Sequence, residues 1–271
     1  MKTIGSTIIM LALASSLFAD NGKELKLASP DGTHEIVFYQ KQVSPAVNEL
    51  CYRVDYKSQP VVNESRAGLE LDNRIWEMAL GVRNLKQPAC WMDNLEVDSV
   101  TYQPETNLTW QPLYGERSSV RDHYRAGTLC LSKKDNSGYR LNIEVRAYNE
   151  GVAFRYFFPE HPKAIFHKVV GDLTEYALPA GTKAWTEQWA QAFFERLNID
   201  DIKHPVERAL TFELPNGKWA ALADADVDDW CLTKYLVSTD KKNTLTSVMY
   251  SPVDVVTYYA TPWKIVMAAD K

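Results

Sequence analysis

Between residues 139 and 159 apolar and polar positions alternate strictly. Leu141, Ile143, Val145 and Ala147 interleave with Arg140, Asn142, Glu144 and Arg146, and after Asn149-Glu150-Gly151 one face resumes with Val152, Phe154, Tyr156 and Phe158. Successive side chains of a strand point to opposite faces, so period two on both sides of a glycine turn predicts a β-hairpin with one buried face. Weaker runs of the same kind predict strands over residues 35–40, 50–56, 127–132, 210–213 and 263–268. Turn signals recur between them, at Ser29-Pro30-Asp31-Gly32, Asn136-Ser137-Gly138, Pro179-Ala180-Gly181 and Pro215-Asn216-Gly217. Short strands punctuated in this way are the layout of an all-β sandwich or barrel. The expectation is two large, mainly antiparallel sheets over residues 24–271, with Leu141, Ile143, Val145, Phe154 and Tyr156 facing the core between them. Residues 75–84 fit either a short helix or an edge strand. There is no internal repeat, low-complexity tract or linker, so residues 20–271 read as one domain. The alternating βαβ pattern is missing too, which excludes a complete (β/α)8 barrel with its eight crossover helices.

One apolar stretch departs from the alternation. Residues 4–18 are continuously apolar or small after Met1-Lys2, and Ala19 precedes the polar Asp20-Asn21-Gly22-Lys23. This order predicts a secretory signal peptide over 1–19, cleaved after Ala19, and export from the cell. The run is too short for a membrane span, which needs roughly 20 apolar residues. Export permits disulfides among Cys51, Cys90, Cys130 and Cys231, and four small buried hydrophobes are the equal alternative. Neither C-x-x-C pairs nor a zinc-like spacing occurs.

Thirty basic against 35 acidic residues leave a net charge of -5, with no basic run to follow phosphates, so nucleic acid is excluded as a partner. No G-x-S-x-G elbow, H-E-x-x-H helix, P-loop or G-x-G-x-x-G turn is present. His34, His123, His161, His167 and His204 are scattered and read as surface or satisfied residues. Aromatic residues beside acids are densest at Trp185-Thr186-Glu187-Gln188-Trp189 with Phe193-Phe194-Glu195-Arg196, and next at Trp110 to Arg117. Aromatic faces bind the C–H surfaces of sugar rings, while carboxylates and guanidinium groups bind their hydroxyls, so carbohydrate is the ligand class these segments suit. Burial in the core is the competing explanation of any single aromatic residue. Asp224, Asp226, Asp228 and Asp229 superficially suit a hard cation, but an EF-hand needs glycine at the sixth position and glutamate at the twelfth, which here are Asp229 and Tyr235. That run reads as a solvated strand end.

Four segments in order carry a resemblance: Ser29-Pro30-Asp31-Gly32; Tyr114-Gly115-Glu116-Arg117-Ser118 with Tyr124 downstream; Glu144 to Tyr156, the most specific; and Thr261-Pro262-Trp263-Lys264-Ile265-Val266-Met267. Together they resemble the N-terminal domain of glycoside hydrolase family 97, across nearly the whole chain after residue 19. The resemblance implies a large antiparallel β-super-sandwich of the galactose-mutarotase-like kind, from an exported, periplasmic α-glucosidase-like or α-galactosidase-like enzyme of glycan-harvesting bacteria. It implies a catalytic (β/α)8 barrel and a small C-terminal β-domain as the partners, with the catalytic carboxylates on the barrel and none in residues 1–271. It further implies that this domain closes over the barrel mouth and gives one glutamate to a calcium ion beside the bound α-glycoside or oligosaccharide. Phe193-Phe194-Glu195 is the matching place, which makes Glu195 the candidate metal ligand and Trp185, Trp189 and Glu195 the candidate substrate contacts. Two other readings stay open: a stand-alone sandwich that binds saccharide on its concave face, and a mutarotase-like sugar epimerase working with a histidine and a glutamate.

Overall fold

A computed structural model describes residues 23–72, 74, 92–134, 138–162 and 165–271. The alternation read from the sequence becomes a sheet: in strand Arg140–Tyr148 the residues Leu141, Ile143, Val145 and Ala147 are buried and their neighbours face outward. Strand Gly151–Phe158 returns beside it, Val152 opposite Ala147 and Phe154 opposite Val145, which puts the apolar sets of both strands on one face. Gly151 is required where it stands, because a Cβ there would lie 2.5 Å from the Val266 carbonyl oxygen of the next strand.

This hairpin is the middle of an eleven-stranded sheet, nine of whose strands form one path, with Thr106–Trp110 and Tyr259–Ala260 paired beside it. Strands Glu96–Tyr102 and Val120–Ser132 continue it on one side, and Trp263–Ala269, Trp219–Ala225, Leu210–Glu213, Lys183–Thr186 and Glu195–Asn198 continue it in that order on the other. The pairings are antiparallel throughout this path. Three smaller antiparallel sheets supply the opposing layer: one of four strands from Glu24–Ala28 to Gln59–Arg66, one of strands Glu175–Ala177, Thr244–Met249 and Thr233–Val237, and one of strands Val253–Val256, Phe166–Asp172 and Leu69–Leu71. The first two are joined at their edges, where the Ser65 hydroxyl accepts the Ala177 N–H at 2.8 Å and the Glu175 carboxylate accepts the Arg66 N–H at 3.2 Å.

The layers meet through rings. Phe38 meets Phe154 edge-on at 5.1 Å between centroids, Tyr52 lies 5.0 Å from Phe154, and Tyr176 continues the contact at 6.4 Å from Tyr52 and 5.6 Å from Tyr235. Aromatic pairs at this spacing add to the stabilisation from area burial alone. The large sheet and the layer of three smaller ones enclose one apolar core as a β-super-sandwich, so the opposing layer is three sheets of three or four strands rather than the single large sheet expected. All five forecast core residues, Leu141, Ile143, Val145, Phe154 and Tyr156, are buried. The expected strands at 35–40, 50–56, 127–132, 210–213 and 263–268 all occur, mostly within longer ones.

The core is not wholly apolar. Lys264 faces inward from strand Trp263–Ala269 and forms an ion pair with Asp172, their side chains 8% and 1% exposed. Asp172 also accepts the Thr174 N–H at 3.0 Å. Beside them Asp224 pairs with Arg208 and accepts the Thr233 hydroxyl at 2.9 Å. A cavity of about 10 Å3 lies among Asp172, Asp224, Thr233 and Lys264. Asp224 is therefore not part of a solvated strand end as its sequence context suggests. It shares the inward phase of Leu222, and its partner Arg208 is contributed by a neighbouring strand connection.

The signal-peptide stretch, residues 75–84 and Cys90 lie outside the described residues. Cys51, Cys130 and Cys231 are free thiols, Cys51 buried and the other two half-buried. Among the described residues no helix is long and apolar enough to cross a membrane.

Candidate functional site

Strands Lys183–Thr186 and Glu195–Asn198 form a hairpin at one edge of the large sheet, with Trp185 opposite Arg196 and Thr186 opposite Glu195. Side chains alternate along each strand, so Trp185 and Arg196 share one face while Glu195 belongs to the other. On the shared outer face the Trp185 indole N–H donates to Glu213 at 2.9 Å, and the Arg196 guanidinium grips both oxygens of the same carboxylate. Trp185 stays 38% exposed, so part of its ring is open to a ligand.

The loop between these strands is held on one side and bare on the other. The Glu187 carbonyl accepts the Glu207 N–H at 2.9 Å, and the Gln188 carbonyl accepts the Lys234 ammonium at 2.8 Å. Lys234 is itself fixed by Glu207 at 2.6 Å, and its ammonium lies 5.6 Å from the centroid of the Tyr250 ring. Past this anchor the loop carries Trp189, Phe193 and Phe194 outward, 51%, 93% and 63% exposed. A cluster of exposed aromatic side chains on an anchored loop marks a surface for a ligand or a partner rather than a core.

Glu195 begins the second strand with its carboxylate exposed, while its carbonyl accepts the Thr186 hydroxyl at 3.2 Å. Calcium takes six to eight oxygens. No group of three or more histidine, cysteine, aspartate or glutamate side chains that could hold a metal occurs among the described residues. Glu195 supplies two oxygens at most, so it fits a calcium site only when the remaining oxygens come from outside these residues.

Other sequence candidates are accounted for structurally. His34 is buried against Tyr56 with its Nε2 3.0 Å from the Ala268 carbonyl oxygen, and burial lowers its pKa. His167 stacks on Phe158 at 4.9 Å. His123 meets Glu105 at 2.7 Å, and Arg125 engages the other oxygen of the same carboxylate at 2.9 Å. Asp226 pairs with Arg155 at 3.3 Å, and the Asp228 and Asp229 carbonyls each accept the Tyr259 hydroxyl at 3.2 Å. The Glu213 clasp was not visible in the sequence, since it joins residues 28 and 17 positions apart. The one available signal was the outward phase of Glu213 in a strand whose inward residues are Leu210 and Phe212.

The clasp has a pH signature. The two-pronged Arg196 guanidinium, with the Trp185 N–H as a further donor, holds the Glu213 carboxyl down to about 2. A depressed carboxyl contributes stability that is complete above its unfolded pKa, near 4.3, and is lost as pH falls from there towards 2. NMR titration should find Glu213 still ionised at pH 3, and Arg196→Gln should move its midpoint back towards the ordinary carboxylate range. An unchanged midpoint in the variant would show that Arg196 is not the cause.

The sequence profile described as "Glycosyl-hydrolase 97 N-terminal" matches residues 27–271. A retaining alpha-galactosidase of Bacteroides thetaiotaomicron is 23% identical over 263 residues, covering 91% of this chain and 35% of that protein. A Glycoside Hydrolase Family 97 enzyme from Pseudoalteromonas sp. strain K8, solved in complex with Acarbose, superposes with a TM-score of 0.78 at 21% identity, over 91% of this chain and 36% of that one. A beta-arabinopyranosidase structure gives 0.73 at 16%, over 91% and 40%. At these identities the structural likeness speaks for the fold. The chain spans little more than a third of the length of the relatives it matches.

Proposed function

The chain belongs to the Glycosyl-hydrolase 97 N-terminal family, and from that premise we propose that it is the non-catalytic N-terminal domain of an exported, periplasmic, exo-acting α-glycosidase. Its task in this reading is to shape the active-site mouth of an adjoining catalytic barrel and to add a calcium and substrate contact. The observation that carries the reading is the anchored loop 187–194. It is fixed by Lys234 and Glu207 on the sandwich side and bare at Trp189, Phe193 and Phe194 on the other, with Glu195 directly after it. Glycoside hydrolysis needs two carboxylates at a defined separation about the scissile bond. In this reading both lie on the barrel, and a bound calcium ion would supply a fixed positive charge beside the sugar. Trp185 and Trp189 would offer ring faces to the substrate, while Glu195 would present carboxylate oxygens from a strand whose backbone is already fixed by pairing. An α-galactoside or α-glucoside is the substrate class, the first supported by the activity named for the Bacteroides relative.

The test uses a full-length enzyme carrying this chain. Calcium titration of nitrophenyl α-galactoside and α-glucoside hydrolysis should show Glu195→Gln needing about tenfold more calcium for half-maximal rate, as loss of a metal-site partner usually does. The melting temperature of the isolated chain should not change, because an exposed ligand contributes little to its core. Overlapping titration curves with equal maximal rates would remove Glu195 from the site. Residues 20–271 alone should release no sugar from either substrate.

A further inference from the structure

In the middle of the large sheet, on the face turned away from the core, two arginines share one indole. The Arg146 guanidinium lies 4.6 Å from the Trp263 ring centroid and 4.7 Å from that of Tyr124, so it is held between two aromatic faces. Arg155 lies 4.4 Å from the centroid of the same Trp263 ring. The two cations differ in one respect. Arg155 donates to Glu144 at 2.7 Å and to Asp226 at 3.3 Å. Arg146 has no carboxylate partner among the described residues, its other neighbour being the Tyr148 hydroxyl.

This guanidinium is a wall shared by two cavities. One, of about 750 Å3, also presents Glu144, Thr128, Asn107 and Gln103. The second, of about 350 Å3, runs along Tyr148, Gly151, Ile265 and Met267. Stacking occupies the faces of the Arg146 plane and the Tyr148 hydroxyl takes part of its edge, which leaves the remaining N–H donors of a fixed fork matched to a carboxylate. The larger cavity has the size of a small-molecule site, and the polar side chains around the fork have the donors and acceptors that sugar hydroxyls need.

We infer that this face binds a carboxylated sugar, a hexuronate unit, with its carboxylate on the Arg146 fork and its hydroxyls directed to Glu144, Thr128, Asn107 or Gln103. A neutral hexose lacks the group that completes Arg146, and a simple carboxylate lacks the hydroxyls that use the rest of the cavity. Five strands separate Arg140–Tyr148 from Glu195–Asn198, roughly 29 Å at the usual strand spacing. The inference therefore does not depend on the role proposed for Glu195.

Isothermal titration of the folded chain with sodium glucuronate and galacturonate, against glucose, galactose and sodium acetate, tests it. At least one uronate should bind about tenfold or more tightly than its neutral hexose and than acetate. Arg146→Gln should lose that preference, Arg146→Lys should recover only part of it, and Arg196→Gln, at the distant edge, should leave it unchanged. Circular dichroism of each variant establishes that its fold is intact; if Arg146→Gln fails to fold, the Arg146→Lys comparison decides. Equal binding of uronate and hexose would overturn the inference, and so would acetate binding as tightly as uronate or an Arg146 variant with wild-type affinity.

Discussion

Replacing Lys264 by methionine should lower the unfolding free energy by about 3–5 kcal/mol, although methionine is the more apolar side chain and fills much of the same space. The substitution leaves Asp172, 1% exposed, inside the core without its counterion and close to Asp224. Burial pulls the Lys264 pKa down, but the charges of Asp172 and Asp224 outweigh it, so the ammonium is held above its ordinary range. A raised lysine contributes stability in full below its unfolded pKa, near 10.4, and loses it only as pH climbs through the folded value, so the deficit should appear throughout the neutral range. Adding Asp172→Asn to Lys264→Met should restore a good part of the loss, since asparagine removes the stranded charge and keeps an acceptor for the Thr174 N–H. Urea unfolding of the two single variants and the double variant measures all three terms. A Lys264→Met protein within about 1 kcal/mol of the parent would mean that the pair carries none of the weight assigned to it.

Phe154→Ala should be comparably severe, about 3–5 kcal/mol, for a different reason. Its ring is fully buried and within 6.2 Å of the centroids of Phe38, Tyr52 and Tyr156, which come from three strands in both layers. Alanine leaves a cavity that rings on a pleated backbone cannot collapse to fill. Phe154→Leu, which keeps most of the volume, should lose no more than about half as much. If the two variants unfold at the same denaturant concentration, the contact between layers does not run through Phe154.

How far the sequence foretold these features depends on the range over which each is encoded. The hairpin around Asn149-Glu150 was legible because alternation and turn chemistry are local, and its paired residues lie within 15 positions of one another. The inward phase of Lys264 could be read beside Val266 and Ala268, but its counterion Asp172 stands 92 positions away and no local pattern links the two. Asp224 was misread for the same reason: four acids in six positions look solvated until Arg208 and Thr233 are brought alongside. The candidate residues around the loop 187–194 were found as a dense aromatic segment. Their partition between faces, with Trp185 outward beside Arg196 and Glu195 in the opposite phase, appeared only with the pairing register. Arg146 followed the outward polar phase of its strand, yet its enclosure by Tyr124 and Trp263 depends on residues 22 and 117 positions distant.

The place of strand Trp263–Ala269 sets a timetable for the nascent chain. It is the last strand of the described order, yet it lies between Trp219–Ala225 and Gly151–Phe158, near the centre of the large sheet. A ribosome that has released everything up to Pro262 has delivered two partial sheets whose facing edges, Trp219–Ala225 and the stretch Gly151 to Phe154, still lack the strand that joins them. Lys264 arrives on the same strand, so Asp172 waits without its counterion over the same interval. Closure must bridge more than a hundred residues at once, which makes it slow and all-or-none, and it leaves the open edges exposed to other chains until then. The hazard lies in synthesis rather than in the finished fold, and a holdase bound to the emerging polypeptide would be needed most while residues 159–262 are emerging.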